Sequence, residues 1–269
     1  MRAGNTHAPQ RVCCILHVNN CISQIAHVNL PSKIEAVSMA FLFDPPDIHA
    51  IAVKGERKQY PVSRIFCVGR NYVEHAKEMG IAVDREKPFY FLKSAAHFRN
   101  SGATIPYPGG TTNFHYEVEL VVAMGKRVFN ADLKKARAAV YGYAVGLDMT
   151  RRDLQLSERA HQRPWDLGKD VEQSAIVSTI TKAKEFGTVG PQRIHLSLNG
   201  EMKQDALLDD LVWKVDEIIS HLSKFYHLGP GDLIMTGTPA GVGPVVAGDK
   251  IVGGIDGLAP ITLKIGKLK

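Results

Sequence analysis

Three carboxylates are spaced as if to hold a hard cation. Glu117 and Glu119 stand two residues apart in His115-Tyr-Glu117-Val-Glu119-Leu-Val-Val, and Asp148 follows the apolar run 140–147. A strand alternates its side chains between two faces, so this spacing points Glu117 and Glu119 the same way, opposite Tyr116, Val118 and Leu120. A solvated outer face of a half-buried sheet would show the same alternation. The continuation Leu120-Val-Val-Ala-Met124 is apolar on both faces, however, which places the strand in an interior. Like charges gathered near an interior repel and lose hydration, and a cation is the natural compensation. Three oxygen anions favour Mg2+ or Mn2+ in octahedral geometry over zinc, and leave about three positions for substrate and water.

The elements that must position these groups are mostly strands. Residues 64–68 read as a short buried strand that turns through Gly69-Arg70-Asn71 into a helix over 72–79, and 89–92 as a second, aromatic strand. Residues 115–124 form the strongest strand signal, and 140–147 another after a helical stretch at 131–139. Thr150-Arg-Arg-Asp153 has the form of a helix capping box, which puts Asp148 at a strand-to-helix junction. Asn199-Gly200, flanked by residues 194–198 and by Glu201-Met202, predicts a hairpin. Ile218, Ile219, Leu222 and Phe225 space the inner face of a helix that Gly229-Pro230 ends. Strands over 233–236, 250–255 and 259–265 complete the chain.

With 269 residues, 45% of them apolar and 22% charged, the chain can bury a large core as one domain. No apolar run approaches the roughly 20 residues of a membrane-spanning helix, so a soluble protein outside the membrane is expected. The net charge of +6 is scattered, without the dense basic block that nucleic-acid binding favours, and would assist the approach of small dianions. Cys13, Cys14, Cys21 and Cys67 form no metal or redox motif, and a reducing cytoplasm is the simpler home. Residues 1–38 lack periodicity and contain no acidic residue before Glu35. They read as a loose extension, or as an upstream start with Met39 the natural one, in preference to a targeting signal, ahead of a single catalytic domain at 39–269.

FHYEVELVVAMGKR, YGYAVGLDMTRRDLQ, RPWDLGKD and GDLIMTGTPAGVGP occur in that order, and together they resemble the fumarylacetoacetate hydrolase superfamily. Within it, the chain is most similar to the fumarylpyruvate and related acylpyruvate hydrolases. The resemblance runs from about residue 62 to 266. It implies an α+β fold, a β-rich mixed roll of the family's C-terminal domain type, usually in a homodimer. It also implies Mg2+ or Mn2+ on Glu117, Glu119 and Asp148, the three residues the strand pattern selects.

Further roles follow from the resemblance alone. The pattern CVGRNYxxHxxEM places a catalytic His75 and Glu78 on a short lid helix, where spacing i, i+3 gives them one face. Lys169 in WDLGKD matches the family's active-site lysine, and Arg152 and Gln155 match residues facing the substrate, with Arg151 a solvated neighbour. Arg70 and Lys93 add positive potential at the substrate. The Thr238 hydroxyl, in a glycine-rich turn that lacks a P-loop ending, would hold the substrate carboxylate. After Phe-Leu-Lys the family usually continues with Pro, whereas this chain has Ser94, and His97 and Arg99 are expected to reshape the substrate end of the pocket.

The implied activity is hydrolysis of the carbon–carbon bond of an acylpyruvate, with fumarylpyruvate giving fumarate and pyruvate in aromatic catabolism. Decarboxylation of oxaloacetate or isomerisation of an unsaturated dioic 2-oxo acid would use the same metal site. A non-catalytic metal-binding or nucleic-acid-associated protein is the remaining alternative, with only the basic charge in its favour.

Overall fold

Seven successive buried residues, Val118–Met124, require a sheet covered on both faces, and this strand lies inside one. The structure, a computed structural model, describes residues 41–80, 85 and 87–268. The expected loose segment at 1–38, with Cys13, Cys14 and Cys21, lies outside the described residues; Cys67 is a buried free thiol. One compact unit spans Asp47–Lys269.

In the central sheet the strands run in the order Tyr90–Lys93, Arg64–Val68, Asp232–Met235, Val118–Met124, Val140–Asp148, Ala175–Val177 and Phe98–Asn100. The short strand Thr181–Lys182 also pairs with Val140–Asp148. Parallel and antiparallel pairs are mixed: Val118–Met124 is antiparallel to both of its neighbours, while Asp232–Met235 runs parallel to Arg64–Val68. One face sends Val118, Leu120, Val122 and Met124 into the larger core. There they meet Ile194, Leu196, Ile251 and Leu263 of a second, five-stranded sheet and Ile218, Ile219 and Leu222 of the helix Val215–Leu222. The other face sends Val121 and Ala123 against Ile51, Ile65, Ala144 and Met235. Each fully buried aliphatic side chain contributes about 1.5–3 kcal/mol, so the strand that carries Glu119 is held from both sides. The fold is α+β and β-rich, as the resemblance implied.

Several local expectations are corrected. Residues 115–124 are not one strand: Phe114–Tyr116 pairs with Thr150–Arg151 and Gly243–Val245, and the chain changes sheets at Glu117. There the Val118 N–H leaves the ladder and donates to Gln204 Oε1 at 3.0 Å. The capping box is also absent. Arg151 is the N-cap of the helix Arg152–Ala160 without a side-chain cap, Thr150 Oγ1 donates to Asp148 O, and Asp153 accepts from Thr111 and Thr112. Phe225 lies beyond the end of its helix and is 64% exposed. The hairpin forms between Arg193–Leu198 and Glu201–Leu207, with Asn199 and Gly200 both at positive φ, the backbone a two-residue primed turn needs. Among the described residues no helix is long and apolar enough to cross a membrane.

Candidate active site

The change of sheet at Glu117 and the end of the neighbouring strand at Asp148 bring the carboxylates together. The Asp148 N–H donates to Glu117 O at 2.9 Å, tying the two chain segments at the point where both leave regular pairing. Glu119 lies opposite Gly146 in the adjacent strand. Oxygens of Glu117, Glu119 and Asp148 all lie within 4.8 Å of one another, and all three residues are buried.

Each carboxylate meets a different environment. Burial raises the Glu117 carboxyl, but Lys169, Arg152 and His75 outweigh that and hold it well below the usual carboxylate range. Lys169 Nζ donates to Glu117 Oε2 at 2.6 Å and to Asp148 Oδ2 at 2.7 Å, and Arg152 pairs with Glu117 Oε1. Glu119 accepts from the Gly237 N–H at 2.7 Å, and burial followed by the Asp148 and Glu117 charges raises its carboxyl well above the ordinary range. Asp148 Oδ1 is buried and accepts no aligned hydrogen bond, although Lys93 Nζ is 2.8 Å away. A repelled carboxylate beside an oxygen with an open lone pair, in an all-oxygen donor set, fits Mg2+ or Mn2+.

Lys93 therefore lies behind Asp148 rather than in the substrate space. Its Nζ is fully buried and also bonds Met149 O, Lys169 O and Ser174 Oγ. Lys169 closes the four-residue helix Asp166–Lys169, and its ammonium also donates to Thr150 Oγ1 at 2.9 Å. Burial opposes its charge, but the Asp148 and Glu117 carboxylates more than restore it, so its pKa is raised.

His75 and Glu78 lie on the helix Val73–Glu78, with His75 Nδ1 3.0 Å from Glu78 Oε2. The Gly241 N–H donates to Glu78 Oε1 at 3.1 Å, fixing the carboxylate from the far side. Burial raises the Glu78 carboxyl, but these hydrogen bonds prevail and lower it. A neutral His75 that donates its Nδ1 proton to Glu78 leaves a lone pair on Nε2, the tautomer a general base requires.

One cleft is lined by His75, Glu117, Arg152, Gln155 and Lys169, together with Arg70, Gly69, Met79, Arg159 and Trp165. Thr238 is not part of this lining; its hydroxyl accepts from Gln204 Nε2 at 2.8 Å. The glycine-rich loop instead contributes the backbone N–H groups of Gly237 and Gly241. His97 and Arg99, expected at the substrate end of the pocket, are not among the residues that line this cleft. His97 Nδ1 and the Ser94 N–H both contact Asp170 Oδ1 at 2.7 Å, a bond that proline at 94 could not donate, and Arg99 donates to Phe98 O. Arg151 is not merely solvated, since it donates to Leu167 O. Arg159 and Trp165 were not anticipated, although Arg152, Gln155 and Arg159 follow the i, i+3, i+7 pattern of one helix face. A larger groove of about 450 Å³, floored by Tyr143, Val189 and Leu211, lies away from the triad.

The chain is similar to several known proteins. Residues 64–266 match the fumarylacetoacetate (FAA) hydrolase C-terminal family. A fumarylpyruvate hydrolase of Ralstonia sp is 53% identical over 191 residues, covering 70% of this chain and 98% of that protein. The mitochondrial oxaloacetate tautomerase of Homo sapiens is 40% identical over 203 residues, covering 76% of this chain and 91% of that protein. Among solved structures, fumarylpyruvate hydrolase from Pseudomonas aeruginosa in complex with Mn2+ and pyruvate is 43% identical with a TM-score of 0.81, covering 85% of this chain and all of that one.

Proposed function

Since the chain belongs to the fumarylacetoacetate hydrolase family, we propose that it is a metal-dependent hydrolase of acylpyruvates, with fumarylpyruvate as substrate and fumarate and pyruvate as products. The observation that carries this is the buried carboxylate triad, whose Glu117 lines a cleft together with Lys169 and with His75, itself paired with Glu78. Glu117, Glu119 and Asp148 are the residues that would hold Mg2+ or Mn2+. Bound there, the ion supplies Lewis-acid stabilisation of the pyruvate half.

The protein's own groups do the rest. His75 Nε2 takes a proton from water, while Glu78 orients the ring and balances its charge. The hydroxyl adds to the distal acyl carbonyl carbon, and the bond from that carbon to the pyruvate methylene breaks. The electron pair leaves with the pyruvate half, where the Lys169 ammonium faces the developing negative charge. His75 returns its proton to that methylene carbon, completing pyruvate, and the acyl half leaves as a carboxylic acid that loses its proton to solvent. Arg152 and Gln155, linked to each other, orient the substrate on one side, and Lys93 positions Asp148 from behind. Arg70 lines the same cleft. Residues 39–269 are the catalytic unit in this proposal, and a homodimer its assembly. Exposed Leu92 on the edge strand Tyr90–Lys93, with Leu156 and Leu167, supports such an interface.

Keto–enol isomerisation of oxaloacetate is the second reading, favoured by relatives at 38–40% identity. It needs a proton shuttle but no attacking water. His75→Ala separates the two. Fumarylpyruvate hydrolysis is expected to fall by about 10²–10⁴-fold, with oxaloacetate conversion less affected. Loss of oxaloacetate conversion with hydrolysis intact would contradict these roles.

A further inference from the structure

Arg152, Gln155 and Arg159 all line the cleft from one face of the helix Arg152–Ala160. The face runs from the carboxylates outward: Arg152 is buried against Glu117, Gln155 is buried beside it, and Arg159 is half-buried. The first and last are seven positions apart, a rise of roughly 10 Å. Arg152 and Lys169 are committed to Glu117 and Asp148, so the inner cations are largely neutralised. The Arg159 side chain makes no hydrogen bond or ion pair with any described residue, and it lines the same cleft.

The outer wall near it is built to hold a second cation. The Arg70 guanidinium lies over the Phe89 ring at 4.8 Å from its centroid, and Phe89 meets Trp165 edge-on at 5.2 Å. Gly69 makes this shelf possible, because a Cβ there would sit 2.0 Å from the Phe89 ring. Trp165 and Arg70 both face the cleft with Arg159. A planar guanidinium matches a carboxylate through two parallel hydrogen bonds, which an ammonium cannot do.

We propose that Arg159, with Arg70 beside it, forms a distal carboxylate subsite that selects acylpyruvates whose acyl arm ends in a second carboxylate. The inference rests on the acylpyruvate reading above and deepens it. With the 2-oxo acid end at the triad, the seven-carbon fumarylpyruvate dianion extends along the helix face toward Arg159. The four-carbon oxaloacetate keeps both carboxylates at the inner end.

The test compares kcat/KM for fumarylpyruvate, acetylpyruvate and oxaloacetate in the Mn2+-loaded full chain and in its Arg159→Met and Arg159→Lys variants. Acetylpyruvate undergoes the same cleavage with a methyl group at the distal end. In Arg159→Met the ratio of fumarylpyruvate to acetylpyruvate is expected to fall about 10- to 100-fold, the size of a lost charge-assisted hydrogen bond. Arg159→Lys should recover part of that ratio, and the oxaloacetate to acetylpyruvate ratio should change much less. An unchanged fumarylpyruvate ratio, or an equal fall for oxaloacetate, overturns the subsite while leaving the hydrolase reading intact. Failure of the unmodified protein to cleave either acylpyruvate sinks the reading and the subsite together.

Discussion

Glu119 and Asp148 sit on strands packed on both faces, whereas His75 and Lys169 stand on helices of six and four residues. The floor of the pocket is fixed by register: Glu119 lies opposite Gly146, and the Asp148 N–H is tied to Glu117 O. Its rim is fixed by a few side-chain ties: His75 and the Gly241 N–H hold Glu78, and Glu117, Asp148 and Thr150 hold the Lys169 ammonium. Covered strands make a strong electrostatic site because the packing around them prevents relaxation of repelled charges. Short helices in loops allow the groups that touch substrate to adjust, and they depend on a few partners to stay in place.

Removing a floor charge should have the largest effect and should leave the fold intact. Glu119→Gln is expected to reduce turnover by about 10³-fold or more, reflecting the several kcal/mol a Lewis acid supplies. The metal-free protein should melt no lower than the unmodified one, because burial and the Asp148 and Glu117 charges already oppose the Glu119 carboxylate. Thermal melts with and without Mn2+, beside steady-state assays, check both. A lower melting point with turnover preserved would make Glu119 a structural residue.

Lys93→Met exposes the opposite dependence at the support beneath the floor. It leaves Asp148 Oδ1 without its ion pair and empties a buried cation site. Stability is expected to fall by about 3–5 kcal/mol, and metal affinity by about 10–100-fold. Excess Mn2+ should restore much of kcat, as measured by metal titration. A variant that binds metal normally but binds substrate poorly would return Lys93 to the substrate side.

The smallest expected effect is a pH dependence at the join between floor and rim. His115 donates from Nε2 to Asn113 Oδ1 and turns Nδ1 toward Arg152. Burial first, and Arg152 second, lower its pKa to about 4. Between the ordinary value of 6.5 and this one the unfolded chain binds the proton and the folded chain does not. The contribution is therefore present above pH 6.5 and lost as pH falls toward 4. His115→Gln should flatten the melting profile across that window; an unchanged slope would place the titration elsewhere.

The same contrast governs what the sequence reveals. Glu117, Glu119 and Asp148 are legible because strand period and a doubly apolar continuation are strong signals, even though the chain changes sheets between the two glutamates. Lys169 emerges only through family resemblance, since a four-residue helix has no periodicity to read. The N–H groups of Gly237 and Gly241 have no side-chain signature at all. Thr150 and Asp153 imitate a capping box but serve Lys169 and the 111–112 loop, because tertiary partners outbid the local cap. Lys93 reads as another cation for substrate, and only burial shows that it turns inward.

The most direct measurement is fumarylpyruvate turnover, followed by ultraviolet absorbance, in metal-stripped protein before and after Mg2+ or Mn2+ is restored. The account predicts negligible turnover without metal and stoichiometric release of fumarate and pyruvate once it is returned. Equal turnover in the stripped and restored protein would contradict it.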